Sequence, residues 1–138
     1  VIDFSDESKE AIEAAVKIAG NSHSPLAVLY PYRLNQPRNV ANVVEWKRTL
    51  DEDANIRFKS ITGDLFKERN VPVEFRPEVG FIKDRIEAYT QKNTVSMIVV
   101  SSQLFLGSND MFGSIVNKLK CPLMVIPGSS ISLRPDPS

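Results

Sequence analysis

Short apolar runs recur along this chain at intervals that leave room for one helix between each pair. They are Val1–Phe4, Leu26–Tyr30, Val71–Arg76, Met97–Val100 and Leu123–Ile126, each of strand rather than helix length. Val71–Arg76 alternates apolar and polar residues, as a half-exposed edge strand does. Between the runs the spacing becomes helical. Ala11, Ala15, Ile18 and Ala19 give a small, close-packing face over Asp6–Ala19. Val43, Trp46, Leu50, Ala54, Phe58, Ile61 and Leu65 step by threes and fours, predicting one long helix from about Val40 to Arg69. Ile82, Ile86 and Tyr89 follow Gly80, and Phe112, Ile115, Val116 and Leu119 fall at i, i+3, i+4 and i+7. Alternation of strand and helix predicts an α/β domain: a parallel sheet with helices on both faces. Its strands are expected near Val1–Asp3, Leu26–Tyr30, Val73–Arg76, Met97–Ser101 and Leu123–Ile126.

Punctuation residues sharpen these limits. Asp3 and Ser5 offer capping side chains ahead of the first helix, and Gly20 is expected to stop it. Pro31, which cannot donate to a ladder, is expected to end the second strand. Gly63 weakens the long helix and Asn70 is its expected left-handed stop. The opening run is short for the first strand of a parallel sheet, so further apolar residues are expected ahead of Val1.

A chain of 138 residues suffices for one domain with a real core. We expect that domain over residues 1–128, with the Ser/Pro-rich residues 129–138 as a loose tail or linker. Lys+Arg and Asp+Glu balance at 17 each, which gives no basic field for nucleic acid or a membrane surface. One cysteine, Cys121, allows no internal disulfide and no cysteine metal cluster, so a reducing cytoplasm is the default expectation.

The organising stretch is Val95–Gly128: an apolar run, a polar Ser/Asn/Asp/Gly loop, a short amphipathic helix and a second apolar run. Such a parallel βαβ unit creates a ligand shelf where the loop leaves the first strand. DFSDESKEAIEAAVKIA, VEFRPEVGFIKDRIEAY, SMIVVSS and GSIVNKLKCPLMVIP, in that order and spacing, resemble the universal stress protein family over essentially the whole chain. The resemblance implies a five-stranded parallel sheet in the order 3-2-1-4-5, a Rossmann-like arrangement shared with adenine-nucleotide α-hydrolases. It puts the switch point between the first and fourth strands, hence any ligand at Asp3 and Ser101/Ser102.

Family members divide into ATP binders and non-binders, and binders carry Gly-x2-Gly-x9-Gly-Ser/Thr after the fourth strand. Here Ser101 and Leu104 stand at the first two glycine positions, only Gly113-Ser114 matches the final pair, and the loop is one residue shorter. Binders meet adenine through main chain where this chain has Pro31, while the acidic residue ending the first strand is kept as Asp3. From Ser101 to Ser114 there is no Lys, Arg or His, and Asp110 adds negative charge. The residues of a vestigial nucleotide site are therefore Asp3, Pro31, Ser101, Ser102, Gly113 and Ser114. Each has a plainer reading: Asp3 as a helix cap, Gly113-Ser114 as a turn with a Ser cap.

No catalytic constellation is found. Ser101-Ser102 lacks a Gly-x-Ser-x-Gly elbow, and His23 precedes the second strand, at the opposite end of the sheet. Cys121 beside Pro122 reads as a structural thiol, Trp46 as core, and no phosphate-binding glycine loop of another class is present. The expected protein is a non-catalytic stress-response regulator without cofactor, ATP being disfavoured; the alternative is a regulator holding ATP or another small ligand in the crevice. Pro122, Leu123, Met124, Val125, Ile126 and Pro127 form an apolar sheet edge, expected to pair with a second copy.

Overall fold

The computed structural model describes all residues except 36, 40, 67, 68, 108–115 and 129–138. Helices α1 (Asp6–Asn21), α2 (Val43–Thr62), α3 (Ile82–Lys92) and α4 (Ser102–Gly107) alternate with strands β1 (Leu26–Tyr32), β2 (Val73–Val79), β3 (Ile98–Ser101) and β4 (Leu123–Ile126). A single 3-10 turn, Val116–Lys118, precedes β4. Residues 112–115 of the last predicted helix, and the predicted tail, lie outside the described residues, and Leu119 is not helical. Pairing is parallel throughout: β1 with β2, Leu26 opposite Val73, and β3 with β4, Ile98 opposite Leu123.

These strands form two sheets of two, and Val1–Asp3 is not itself a strand. It nevertheless lies between them: the Val1 nitrogen donates to the Val99 carbonyl at 3.0 Å, and the Ile2 N–H donates to the Leu29 carbonyl at 2.9 Å. Side chains alternate along it. Ile2 joins Ile12, Val16, Val28 and Phe58 on the face covered by α1 and α2, whereas Val1 packs with Ile86, Ile98, Val100 and Leu104 on the face of α3 and α4. The two cores thus meet across three residues.

Several boundaries differ from the sequence expectation for identifiable reasons. Pro31 does not end its strand; it sits inside β1, opposite Glu78. The Leu26 N–H bonds to Pro72 and the Tyr32 carbonyl accepts from Gly80, so even-numbered residues of β1 face β2 and Pro31 faces away. Its missing donor costs that ladder nothing. Pro77, by the same alternation, faces the outer edge of β2 and protects it from further pairing. Gly20 lies within α1, which runs one residue further and is capped at Ser22; His23, at φ 53°, takes the left-handed step instead. The long helix stops at Thr62, before Gly63, and Asn70 is not left-handed. Trp46 is half-buried beside the Asn35 carbonyl, to which its ring N–H donates, rather than in the core.

Candidate functional site

The carboxyl end of Val1–Asp3 is shaped by serine chemistry. Ser5 caps α1 by accepting from the Ser8 N–H, and the acidic residues Asp6 and Glu7 in the first turn favour that helix end. Asp3 is drawn into the cap. Its Oδ1 accepts from the Ser5 Oγ at 2.6 Å, the Ser8 Oγ at 2.7 Å and the Ser5 N–H at 3.0 Å. The Asp3 N–H donates back to the fully buried Ser8 Oγ at 3.1 Å. Burial would raise the Asp3 carboxyl, but the hydrogen bonds from Ser5 and Ser8 outweigh it and hold the group below its usual range. The cap itself is Ser5, and Asp3 buttresses it by accepting from the Ser5 and Ser8 hydroxyls rather than capping the helix directly. Asp3→Ala is expected to lower stability by about 1–2 kcal/mol, the scale of lost charged hydrogen bonds at a partly exposed site, in urea denaturation at pH 7. A change below about 0.5 kcal/mol would show the network to be idle.

Phe4 then turns sharply, at φ 64°, a left-handed conformation that costs a side-chain-bearing residue roughly 1–2 kcal/mol. Packing holds it there. The Phe4 ring lies edge-on to Tyr30 at 4.6 Å and to Phe75 at 6.1 Å, with the Arg57 guanidinium 4.6 Å above it. Tyr30 stacks on Tyr32 at 5.5 Å, and the Tyr32 hydroxyl donates to Asp51 at 2.6 Å. Burial, that bond and the Asp51 charge all push the Tyr32 hydroxyl upward, so it remains a donor. A cleft of about 330 Å³ opens here, lined by Tyr30, Tyr32, Asp53 and Arg57. These residues were not among the sequence-predicted set. Tyr30 and Arg57 were visible only as a strand end and as an exposed helix position; the turn at Phe4, which brings them together, leaves no composition signal.

Across Val1–Asp3 the other half of the shelf is occupied by protein. β3 passes without a loop into α4. Ser101 is fully buried, and its Oγ accepts from the Leu104 N–H at 3.1 Å, the bond of a helix cap. Leu104, only 7% exposed, points into the core with Ile86, Ile98 and Val100. Ser102 begins the helix and is half-buried. Leu104 is helical, so the positive-φ strain that a leucine would suffer in a glycine loop is avoided altogether. The backbone bonds of Val1 and Ile2 set Asp3, Pro31 and Ser101 at the carboxyl ends of adjacent segments, whereas Gly113-Ser114 and Asp110 lie outside the described residues. Cys121 is half-buried against the same core, which raises its thiol and keeps it protonated. Among the described residues no group of three or more His, Cys, Asp or Glu could hold a metal ion. Nor is any of their helices long and apolar enough to cross a membrane.

The profile of the universal stress protein family matches residues 1–127. No curated protein sequence matches the chain. Among solved structures, it is similar to the universal stress protein UspA from Lactobacillus plantarum, at 21% identity and TM-score 0.68, over 91% of this chain and 92% of that one. A protein from the same family in Burkholderia pseudomallei gives 16% identity and TM-score 0.66, over 92% of both chains. A universal stress protein in complex with cAMP gives 19% identity and TM-score 0.58, over 91% of this chain and 92% of that one.

Proposed function

The chain belongs to the universal stress protein family, and from that premise we propose that it is a non-catalytic, dimeric interaction module that works through its surfaces without binding ATP. One observation carries the reading: the segment after β3, where a phosphate loop would need open backbone, is a helix capped by buried Ser101 and anchored by buried Leu104. The Leu104 N–H is already taken by the Ser101 Oγ, and a core leucine cannot withdraw to admit phosphates without leaving a cavity.

In this reading Val1–Asp3 serves as the central strand of one five-stranded sheet in the family order, and the free side of β4 is the dimer surface. The Ile98 N–H bonds to the Pro122 carbonyl, so Met124 and Ile126 face β3 and the backbone groups of Leu123 and Val125 face outward. Val125 is 37% exposed, and Pro127 ends the edge with a missing donor. A second copy about a two-fold axis would satisfy those groups and cover the apolar strip. The lone thiol suits a reducing cytoplasm.

Titration calorimetry with ATP and magnesium is expected to give no dissociation constant below about ten micromolar, equivalent to about −7 kcal/mol. Tighter binding would overturn the ATP-free reading. Light scattering at tens of micromolar is expected to show a dimer that Val125→Lys converts to monomer, and an unchanged oligomeric state would overturn the edge assignment.

A second reading has its own support. Asp3 Oδ2 accepts no hydrogen bond among the described residues while Oδ1 takes three, and Asp3 is exposed. Together with the Tyr30–Arg57 cleft, it could meet a smaller ligand's hydroxyl and base, and a similar structure holds cAMP. The same titration with cAMP separates the two readings: saturable heat with cAMP, lost in Asp3→Ala, favours the ligand-binding regulator.

A further inference from the structure

Two periodicities meet beneath α2. Tyr30 and Tyr32, two residues apart on β1, send their side chains to the same face, where their rings stack at 5.5 Å. Leu50, Asp53, Ala54 and Arg57 of α2 fall at i, i+3, i+4 and i+7, so they form one stripe along the helix. The space between is the cleft of about 330 Å³, at the small end of ligand pockets, which run upward from about 300 Å³. Ala54, only 3% exposed, gives the cleft its depth; a longer side chain there would fill it.

The charges around it are divided into spent and open ones. Asp51 is spent: it accepts from the Tyr32 hydroxyl at 2.6 Å and pairs with Lys47 at 2.7 Å. Asp53 and Arg57 stand at the i,i+4 spacing, in the order that favours an ion pair on a helix, yet no ion pair joins them. Arg57 lies instead over the Phe4 ring, 4.6 Å from its centre, where the left-handed turn at φ 64° has brought that ring. A guanidinium held by a ring face has given up none of its N–H donors. Among the described residues Arg57 makes no side-chain hydrogen bond or ion pair, and the Tyr30 hydroxyl has no hydrogen-bond partner either. The cleft thus joins aromatic and aliphatic walls to one open cation, one open carboxylate and one open hydroxyl.

We propose that this cleft binds a small flat aromatic monocarboxylate, its carboxylate on Arg57, its ring against Tyr30 and Tyr32, and a hydroxyl or amine of the ligand on Asp53. The planar fork of an arginine matches the two oxygens of a carboxylate, and its seat on Phe4 fixes it before the ligand arrives. Tyrosine walls favour an aromatic ring over an aliphatic chain, because edge-to-face and offset contacts add to the burial of area. One cation beside one carboxylate gives the site no net positive charge, so a phosphate dianion would meet Asp53 uncompensated. A monoanion that also carries a donor satisfies both. The site uses neither Asp3 nor Ser101, and it needs neither the ATP-free reading nor the cAMP one.

The test titrates the 138-residue chain with 4-hydroxyphenylacetate and follows its amide NMR shifts. Saturable shifts are expected at Tyr32, Ala54 and Arg57, with a dissociation constant below about 1 mM. Arg57→Gln is expected to weaken binding at least tenfold in a protein that still folds. On the unaltered protein, 4-hydroxyphenylacetamide, which keeps the ring and hydroxyl but lacks the charge, is expected to bind at least tenfold more weakly than the acid. No saturable shift, shifts confined to Asp3, Ser101 and Ser102, or equal binding of acid and amide would overturn the site. Undiminished binding by folded Arg57→Gln would overturn it as well, and tighter binding of phenyl phosphate than of the acid would overturn the carboxylate assignment.

Discussion

Leu104→Gly is expected to lower stability by about 4 kcal/mol and to leave ATP binding undetectable, although it restores glycine where nucleotide-binding relatives carry one. Leu104 is 7% exposed and packed among Ile86, Ile98 and Val100. Truncating a buried leucine costs about 2–5 kcal/mol, because the cavity collapses only in part. Glycine in place of alanine within a helix adds about 1 kcal/mol. With six residues, α4 has little helical stability of its own and depends on that anchor. The substitution adds no cation and no acceptor for a nucleobase, so its gain in backbone freedom has nothing to act with. Urea denaturation at pH 7, paired with titration calorimetry, gives both numbers. A loss under about 1.5 kcal/mol would mean that Leu104 is not the anchor, and low-micromolar ATP affinity would mean that the loop alone decides nucleotide binding.

The same residue shows what the sequence carried and what it did not. Hydrophobic spacing located β1 to β4 and α1 to α3, because strand runs and helical faces are local patterns that tertiary packing reinforces. Replacement of glycines by Ser101 and Leu104 was legible as a departure, but its form was not. Leu104, Phe105 and Leu106 form an apolar run in a stretch otherwise rich in Ser and Gly, and that run was the signal that the segment folds as α4, with Leu104 and Phe105 turned to the core. Pro31 misled because its effect depends on which side of the strand its nitrogen faces, and register fixes that side, not residue type. Gly20 does not make the expected stop for a similar reason: α1 continues one residue past it, with the Ser22 hydroxyl on the Ile18 carbonyl at 2.7 Å, and the left-handed step falls on His23. At the site, Asp3 was identified from its place at a strand end, whereas Ser8, Phe4 and Arg57 enter only through contacts made in three dimensions.

In a chain that begins at Val1, stability is expected to rise by about 3 kcal/mol as pH increases from below 6 to above 8. The Val1 amine is buried and donates to the Val99 carbonyl, and burial, which disfavours the ammonium, lowers it from an ordinary 8.0 to about 6. Between those values the unfolded chain binds the proton and the folded chain does not. Stability therefore increases with pH through that window, is complete above about 8, and is lost as pH falls toward 6. At 1.36 kcal/mol per tenfold change in proton affinity, the drop from 8.0 to about 6 corresponds to about 3 kcal/mol. The neutral amine keeps a proton for the Val99 carbonyl, so the bond survives deprotonation. Asp3 acts in a separate window. Its folded value lies below the ordinary 3.8, so its contribution is present above that pH and disappears only as the acid range is entered. Urea denaturation at pH 5.5, 7 and 8.5 separates the two, and acetylating the Val1 nitrogen is expected to flatten the upper window while leaving the acid loss intact. A profile that is level from 5.5 to 8.5 before acetylation would place the amine in water, away from the Val99 carbonyl it meets here.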